Sequence, residues 1–261
     1  MQLIKRSTLP QSEEAALTIP ANLPSTVRSV AESLILRDPD SARRYLALYQ
    51  RRGDWVQAMN AVTKLLTFEQ FLYFDNGNEL DEYELVDGRL ALMPEPSELH
   101  EEILEFLSFM FELAYRRRKL KYSVRKRNSL FVAPTKARRP DIAVIDRPKT
   151  FRDDQPIRGI RTKPFMIVEI ASGNWSTDLV DKQEEYQALE VPEYWIVDYR
   201  GQIPAKYCLR GKGKKVIVLT LEKGEYQRSE YLPGETVPCS TFPELTVTVD
   251  QVLAADAEDV I

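Results

Sequence analysis

The sequence predicts an α+β fold with an α/β core, in which a mixed sheet is flanked by helices and preceded by an N-terminal helical extension. Two apolar runs of strand length, 165–171 and 194–197, enclose a helical segment of about a dozen residues. That order indicates a βαβ unit whose parallel strands are buried on both faces. Residues 207–248 alternate polar and apolar side chains and are predicted to extend the sheet, before a short helix from Val249.

The composition is typical of a globular protein. The 261 residues are 43% hydrophobic and 29% charged, and the two cysteines, Cys208 and Cys239, lie far apart. This cysteine usage favours a reduced compartment over a disulfide scaffold. The N-terminus lacks a signal-peptide core and no apolar run reaches membrane-spanning length, so we expect a cytoplasmic enzyme or binding protein with no membrane partner.

The chain is predicted to divide into an extension, a domain and a tail, at residues 1–66, 67–254 and 255–261. Apolar spacing in the extension predicts helices near 25–37, 41–51 and 55–66. The extension contains no catalytic set of residues. It is interpreted either as an appendage that packs on the domain or as an interaction or dimerisation arm, and we expect the chain to form a homodimer.

Within the domain, local signals define the first elements. Thr67 to Gln70 form a capping-box pattern that opens a short helix. Asp87-Gly88, inside the run from Tyr83 to Met93, predicts a tight hairpin. Ser97 is expected to cap a long amphipathic helix that ends near Arg116. Short strands are predicted after it, over residues 120–127, 129–133 and 140–146.

Glu169 lies in the middle of the first apolar run, where a charge is costly unless it is paired or binds a metal. The period of two along a strand places Glu169 on the face shared by Ile167 and Ala171. The same period places Asp141 on one face of the strand over 140–146. The two carboxylates are therefore neighbours if these strands pair, although Asp141 is also interpretable as a residue that merely starts its strand.

Lys182 belongs to the helix that follows, which is predicted to begin near Asp178. Leu179, Lys182, Tyr186 and Leu189 recur at helical spacing and form one inward stripe. Two interpretations stay open for a lysine in such a stripe. Its ammonium group either extends along the apolar surface to solvent or contacts the two buried carboxylates.

The net charge of −4 conceals an uneven distribution. From Arg116 to Arg139 there are eleven basic and no acidic residues, which leaves 25 basic and 40 acidic residues, or −15, for the rest. The run is either a solvated basic face or a track for the phosphate backbone of a nucleic acid. The candidate nucleic-acid-binding residues are Arg116, Arg117, Arg118, Lys119, Lys121, Arg125, Lys126 and Arg127.

Two carboxylates and a lysine suit the hydrolysis of phosphodiester bonds with a divalent metal. Oxygen ligands hold Mg²⁺, the ion activates a bound water, and a lysine stabilises charge that develops on the phosphate. The sequence has no phosphate-binding G-x-x-x-x-G-K-[ST] loop and no Rossmann, zinc-site or G-x-S-x-G motif. These absences exclude the commoner cytoplasmic alternatives.

The pattern resembles the PD-(D/E)XK nuclease superfamily and, within it, the restriction endonucleases of the Uma2 family. The similarity extends over about residues 67–253 and leaves out the N-terminal extension. The segments that carry it are Thr67 to Phe71, Tyr83 to Gly88, His100, Arg139 to Asp141, Val168 to Ser172, Asp178, Lys182, Tyr186 and Val191 to Asp198. The resemblance implies a restriction-endonuclease-like fold.

The resemblance also implies a metal site and a lysine. Asp141 and Glu169 would bind Mg²⁺ or Mn²⁺ together with the main-chain carbonyl of Ile170. The lysine of the superfamily's E-x-K motif falls on Ala171 here. The chain resembles superfamily members in which this lysine lies on the following helix, which points to Lys182.

Two further residues match family positions near the site, Glu84 and His100. His100 is the single histidine of the chain and lies in the first turn of the long helix, beside Glu101 and Glu102. From the residues alone a single histidine at such a position is more often a surface or capping residue, and its place beside Glu101 and Glu102 keeps the site interpretation open.

The first hypothesis is a Mg²⁺-dependent endonuclease that cuts DNA, with Asp141 and Glu169 as ligands and Lys182 orienting the water. The second is a nucleic-acid-binding or mobile-element accessory module with little or no cleavage activity, which the basic run favours. A third is a structural protein that dimerises through its helical extension.

Overall fold

The computed structural model describes residues 19–20, 23, 27–28, 31–32, 39–52, 65–74, 82–147, 159–173 and 175–255. They form two compact units, one from the described residues up to 52 and one from residue 65 onwards. The first unit contains helix α1 (Pro39–Arg52), which overlaps the helix expected over 41–51. The other two expected helices of the extension, and the tail beyond 255, lie largely outside the described residues, and the predicted domain limits stay predictions.

The second unit contains a mixed sheet with helices on its faces. Its described helices are α2 (Phe68–Leu72), α3 (Glu98–Arg117), α4 (Lys182–Ala188) and α5 (Val249–Ala254), with a π-helical turn at Thr177–Asp181 and a 3-10 turn at Ala205–Tyr207. Its described strands are β1 (Tyr83–Val86), β2 (Arg89–Leu92), β3 (Tyr122–Lys126), β4 (Leu130–Ala133), β5 (Lys136–Arg138), β6 (Ile142–Asp146), β7 (Met166–Ile170), β8 (Glu193–Asp198), β9 (Lys215–Glu222), β10 (Glu225–Tyr231), β11 (Thr236–Val237) and β12 (Val247–Thr248). None of the described helices combines the length and the apolar character needed to cross a membrane.

The strands form a six-stranded sheet in the order β10-β9-β8-β7-β6-β3, a four-stranded sheet in the order β2-β1-β5-β4, and the pair β11-β12. In the larger sheet β7 and β8 are parallel, and the other neighbours are antiparallel. The predicted βαβ unit and the predicted mixed sheet flanked by helices are therefore confirmed.

The local signals act as the sequence predicts. The side chain of Thr67 accepts a hydrogen bond from the main-chain N–H of Gln70, which completes the capping box of α2. Ser97 caps α3 in the same way, through the N–H of His100. Asp87 and Gly88 both adopt positive φ, 49° and 78°, and join β1 to β2 in a two-residue turn.

The larger sheet separates two apolar clusters. One packs under α3 and contains the even-numbered residues of β6 and β7, such as Ile142 and Val168. The other contains the odd-numbered residues, such as Ala143 and Ile167, and packs against Tyr186 of α4. Strands β7 and β8 are buried on both faces, as expected for a central parallel pair. The odd-numbered face also carries Glu169, so the site described below lies on the α4 side.

A buried ion pair connects β9 to β10. Lys215 Nζ lies 2.9 Å from Glu230 Oε2, and the side chains of both residues are buried. Glu230 also accepts the main-chain N–H groups of Leu209 and Arg210, at 2.8 and 3.0 Å. Burial acts to raise the pKa of Glu230, but these hydrogen bonds and Lys215 outweigh it, so the pKa lies below its ordinary value.

The substitution Glu230→Gln is expected to destabilise the protein at neutral pH by about 2 kcal/mol, because it removes the charge from these hydrogen bonds. Because the pKa of Glu230 is lower in the folded state than in the unfolded state, its ionisation stabilises the fold at pH values above the unfolded-state pKa. This stabilisation is lost as the pH falls through the folded-state pKa. The difference in unfolding free energy between wild type and variant should therefore shrink below about pH 4.

Urea denaturation at several pH values measures this difference. Glu225→Gln, an exposed carboxylate in the same strand, is the matched control and should change stability little at any pH. A cost for Glu230→Gln that stays constant from neutral to acid pH would contradict the ionic explanation.

Candidate active site

The pairing of β6 with β7 brings two carboxylates together. The strands are antiparallel with Ile142 opposite Val168, and one further step in this register places Asp141 opposite Glu169. Asp141 Oδ2 accepts the main-chain N–H of Ile170 at 2.7 Å. Both carboxylates are buried, and with Ile170 they line a cavity of about 520 Å³. The strand pairing on which the sequence interpretation depended is thus confirmed.

The ammonium group of Lys182 lies among three carboxylates. Its Nζ is 3.1 Å from Glu169 Oε1, 3.1 Å from Asp178 Oδ1 and 3.4 Å from Glu84 Oε1. The residue is only 5% exposed, so its ammonium does not extend to solvent. Burial acts to lower the pKa of Lys182, but Glu169, Asp178 and Glu84 outweigh it and raise the pKa well above its ordinary value. Lys182 is therefore a permanent cation.

Three carboxylates, those of Glu84, Glu169 and Asp178, surround the single positive charge of Lys182. Burial raises the pKa of Glu169 well above its ordinary value, and Asp178 and Asp141 add to this, although Lys182 opposes it. Burial likewise raises the pKa of Asp178, against the effect of Lys182. Carboxylates whose ionised forms repel one another in a buried site favour the uptake of further positive charge.

A π-helical turn sets the position of Lys182. The turn Thr177–Asp181 directly precedes α4, and Lys182 is the first residue of that helix. The carbonyl of Asp178 accepts the hydroxyl hydrogen of Tyr194 at 2.9 Å. Wide turns of this kind occur frequently at functional sites. Here the turn directs both Asp178 and Lys182 into the cavity.

Tyr186 attaches α4 to the sheet one turn later. It is fully buried, and its hydroxyl donates a hydrogen bond to Glu169 Oε1 at 2.7 Å. The same oxygen is the one that Lys182 approaches. The described residues form no hydrogen bond to the other oxygen of Glu169, Oε2, and the side chain lines the cavity. Glu169 is thus held through one oxygen, Oε1.

Arg138 joins the smaller sheet to α4. Its Nη1 donates to Glu84 Oε2 at 2.8 Å, and its Nε and Nη2 bind the two oxygens of Glu185 at 2.6 and 2.8 Å. The main-chain N–H of Arg139 donates to Glu84 Oε1 at 3.1 Å. Burial acts to raise the pKa of Glu84, but Lys182 and Arg138 outweigh it and the pKa is lowered. Glu84 is therefore a fixed anion directed at Lys182.

His100 contacts Asp141 from the first turn of α3. Its Nε2 lies 3.3 Å from Asp141 Oδ2, and the residue is buried. Its Nδ1, 3.3 Å from Glu101 Oε1, forms no hydrogen bond within the described part of the chain. Burial acts to lower the pKa of His100, but Asp141 outweighs it and the pKa is raised. His100 is a cavity residue and not a surface residue.

The predicted nucleic-acid-binding run is not one continuous free surface. Arg116 and Arg117 end α3 and Arg118 and Lys119 follow it, whereas Arg125 and Lys126 lie on β3 at the edge of the larger sheet. Four of the eight residues form ion pairs, in the pairs Arg116–Glu112, Arg118–Glu244, Lys126–Glu105 and Arg127–Glu101. Of the eight, Arg127 lines the cavity, with its Nε 3.8 Å from Asp141 Oδ1. Their role in binding stays a prediction.

The sequence interpretation omitted Asp178, Tyr186, Arg138 and Glu185 from the site. A signal was present for Asp178, which precedes Lys182 by four residues and so shares its face of a helix. Tyr186 follows Lys182 by four residues on the same stripe. No comparable signal marks Arg138, because the strand that carries it is only three residues long and too short to establish a periodic pattern.

The residues present fit a divalent cation by their chemistry. Asp141, Glu169 and the main-chain carbonyl of Ile170 offer oxygen donors, which Mg²⁺ and Mn²⁺ prefer. No three His, Cys, Asp or Glu side chains in the described ranges are already arranged around a metal position. The expected set needs only two such side chains, and Asp141, Glu169 and Ile170 line the same cavity.

The chain is similar to a known family and to a solved structure over most of its length. The family model of Uma2, described as "putative restriction endonuclease", matches residues 68–250. Among solved structures, a protein described as a putative nuclease belonging to DUF820, from Anabaena variabilis ATCC 29413, is similar with a TM-score of 0.57 and 16% sequence identity. The match covers 73% of this chain and 98% of that chain, and at this identity it shows the fold alone. No curated protein matches the sequence.

Proposed function

Because the chain belongs to the Uma2 family, whose model is described as "putative restriction endonuclease", we propose that it is a divalent-metal-dependent endonuclease that hydrolyses DNA phosphodiester bonds. The observation that carries the proposal is the convergence of Asp141, Glu169 and Lys182 on one cavity. Asp141, Glu169 and the carbonyl of Ile170 would hold Mg²⁺ or Mn²⁺. When bound, such an ion supplies an activated water and offsets charge on the phosphate.

Lys182 acts as a cation and a hydrogen-bond donor in this proposal. Its raised pKa keeps the ammonium group protonated, so it does not serve as a general base. The group can donate one hydrogen bond to the attacking water and one to a phosphate oxygen on which charge develops. Glu84 and Asp178 also contact Nζ, at 3.4 and 3.1 Å, and hold it in place.

His100 orients Asp141. Its Nε2 and the N–H of Ile170 approach the same oxygen, Oδ2, so they fix the rotation of the carboxylate. Partners that orient a ligand of this kind commonly affect metal affinity as strongly as some ligands do. We therefore assign His100 and Glu84 to positioning roles within the catalytic set.

The test is a plasmid-nicking assay with purified protein in Mg²⁺ or Mn²⁺. Wild-type protein should nick supercoiled DNA, and EDTA should abolish the reaction. Asp141→Asn and Glu169→Gln should each lower the rate by at least about a hundredfold. Asp146→Asn, an exposed carboxylate at the other end of β6, is the control and should leave the rate unchanged.

Titration calorimetry with Mn²⁺ provides a readout that is independent of cleavage, because the two active-site variants should also lose metal binding. Full activity of the Asp141→Asn/Glu169→Gln double variant would exclude the assigned site. Salt-sensitive DNA binding by the wild type without cleavage in either ion would favour the accessory-module alternative. The homodimer and the cytoplasmic location stay predictions.

A further inference from the structure

A second basic segment lies between β8 and β9. Residues 199–214 contain five basic residues and no acidic residue. Arg200, Lys206, Lys212 and Lys214 are exposed, and none of them forms an ion pair with a carboxylate of the described chain. The fifth, Arg210, pairs with Glu235. This distribution differs from the run at 116–127, where half of the cations are paired within the protein.

The segment starts at the edge of the sheet where the site lies. Strands β7 and β8 are parallel, so the residues after β8 leave the sheet on the same edge as Ile170. Tyr199 and Arg200 line the same cavity as Glu169 and Lys182. The first cation of the segment therefore adjoins the proposed reaction centre.

The end of the segment returns to the same edge. Lys215, the first residue of β9, is opposite Asp198, the last residue of β8. Gly201 has a φ of 64°, and a Cβ on it would lie 3.0 Å from the main chain of Gly213 and Lys214. The left-handed φ and the close approach both favour glycine here, and the contact places the main chain of Gly213 and Lys214 beside Gly201, the residue after Arg200.

Two of the cations form cation–π contacts with tyrosine rings. The guanidinium carbon of Arg200 lies 5.1 Å from the ring centre of Tyr199, and Lys206 Nζ lies 4.8 Å from that of Tyr207. Tyr207 in turn contacts Trp175, with ring centres 5.3 Å apart. Trp175 belongs to the segment after β7, so the contact links the two segments that leave the sheet beside the site.

Two buried carboxylates fix the main chain of the segment. Asp198 accepts the N–H groups of Gln202 and Ile203 at 2.9 and 3.1 Å. Glu230 accepts those of Leu209 and Arg210. A surface fixed before binding loses little conformational entropy when a ligand arrives.

We propose that the segment 199–214 binds the phosphate backbone of a nucleic acid beside the site, through Arg200, Lys206, Lys212 and Lys214. The inference rests on the proposed function, because it takes the substrate to be a nucleic acid. Four buried carboxylates in the site, Glu84, Asp141, Glu169 and Asp178, repel a polyanion. Unpaired cations near the cavity offset this repulsion and attract the backbone.

The experiment compares two variants that each lose three positive charges. The first is Lys206→Gln/Lys212→Gln/Lys214→Gln in the segment, and the matched control is Arg116→Gln/Arg117→Gln/Lys119→Gln at the end of α3. Fluorescence anisotropy measures the binding of a labelled duplex of about 20 base pairs in EDTA, from about 50 to 200 mM KCl. EDTA separates binding from cleavage.

The segment variant should bind at least about tenfold more weakly at intermediate salt, and the slope of log K against log salt should fall by about 3. The control variant should show less than half of this loss of affinity and less than half of this decrease in slope. An equal or larger loss in the control, or an unchanged segment variant, would overturn the proposal. Wild-type protein that does not bind the duplex would overturn it as well.

Failure of the proposed function gives a different result. If the wild-type protein binds the duplex through the segment but cleaves DNA in neither Mg²⁺ nor Mn²⁺, this result overturns the proposed endonuclease activity and supports the proposed binding surface. Circular dichroism and urea unfolding check that each triple variant is folded. If the segment triple is not folded, the single variants Lys206→Gln and Lys212→Gln replace it, and each should lower the slope by about 1.

Discussion

The substitution Lys182→Met is expected to lower the rate of DNA cleavage by about a thousandfold. It removes the cation that approaches Glu169, Asp178 and Glu84 within 3.4 Å, and a thioether can neither donate a hydrogen bond nor stabilise a phosphate. Single-turnover cleavage in Mg²⁺ measures the loss. Lys163→Met, an exposed lysine before β7, is the control and should retain the wild-type rate.

The same variant should lose about 3 to 5 kcal/mol of stability, because three buried carboxylates are left without their common partner. A double-mutant cycle with Asp178→Asn tests this reason. Removing one carboxylate should recover part of the stability, so the two costs should not add. Stability equal to that of the wild type, or strictly additive costs, would contradict a buried charge cluster.

The substitution Arg138→Met is expected to cost about 3 kcal/mol of unfolding free energy. It leaves the buried Glu84 and the partly buried Glu185 without the guanidinium that binds both, although Lys136 stays 2.9 Å from Glu185 and Lys182 stays 3.4 Å from Glu84. Arg138→Lys should recover only part of this unfolding free energy, because an ammonium group cannot bind both oxygens of Glu185 in the planar geometry of the guanidinium.

Urea denaturation at neutral pH measures the unfolding free energies, which should decrease from the wild type to Arg138→Lys and then to Arg138→Met. The adjacent Arg139→Met is the matched control, because Arg139 pairs with the less buried Glu82 at 3.5 Å. Its cost should stay below about 1 kcal/mol. Equal costs at positions 138 and 139 would contradict a special contribution of the Arg138 contacts to stability.

The sequence was sufficient to predict which face of each strand carries a charge. The period of two assigned Asp141 and Glu169 each to one face of its strand. Because β6 pairs with β7 in this register, both residues lie on the same face of the sheet. The helical stripe of α4 likewise predicted that Lys182 points inward, and it is buried. Periodicity succeeds here because burial of apolar neighbours fixes the orientation of a charged residue between them. The catalytic roles stay predictions.

The partners of these charges were not predictable in the same way. Arg138 contacts Glu84 and Glu185, which are 54 and 47 residues away in sequence. Such pairs depend on which elements become neighbours in space, and a three-residue strand gives no periodic signal for that. The basic run at 116–127 shows the reverse problem. Counting charges along the chain cannot show that Arg118, Lys126 and Arg127 meet carboxylates that are distant in sequence.

The π-helical turn makes the site sensitive to chain length as well as to residue identity. A π-helical turn holds more residues than the 3.6 of a regular α-helical turn, so deletion of one residue between 178 and 182 would let the turn relax to α-helical hydrogen bonding. Asp178 would then precede Lys182 by three positions instead of four, and the 3.1 Å contact between Asp178 Oδ1 and Lys182 Nζ would have to form with a different geometry. The number of residues in this turn is therefore a constraint on the site that a comparison of residue types alone would overlook.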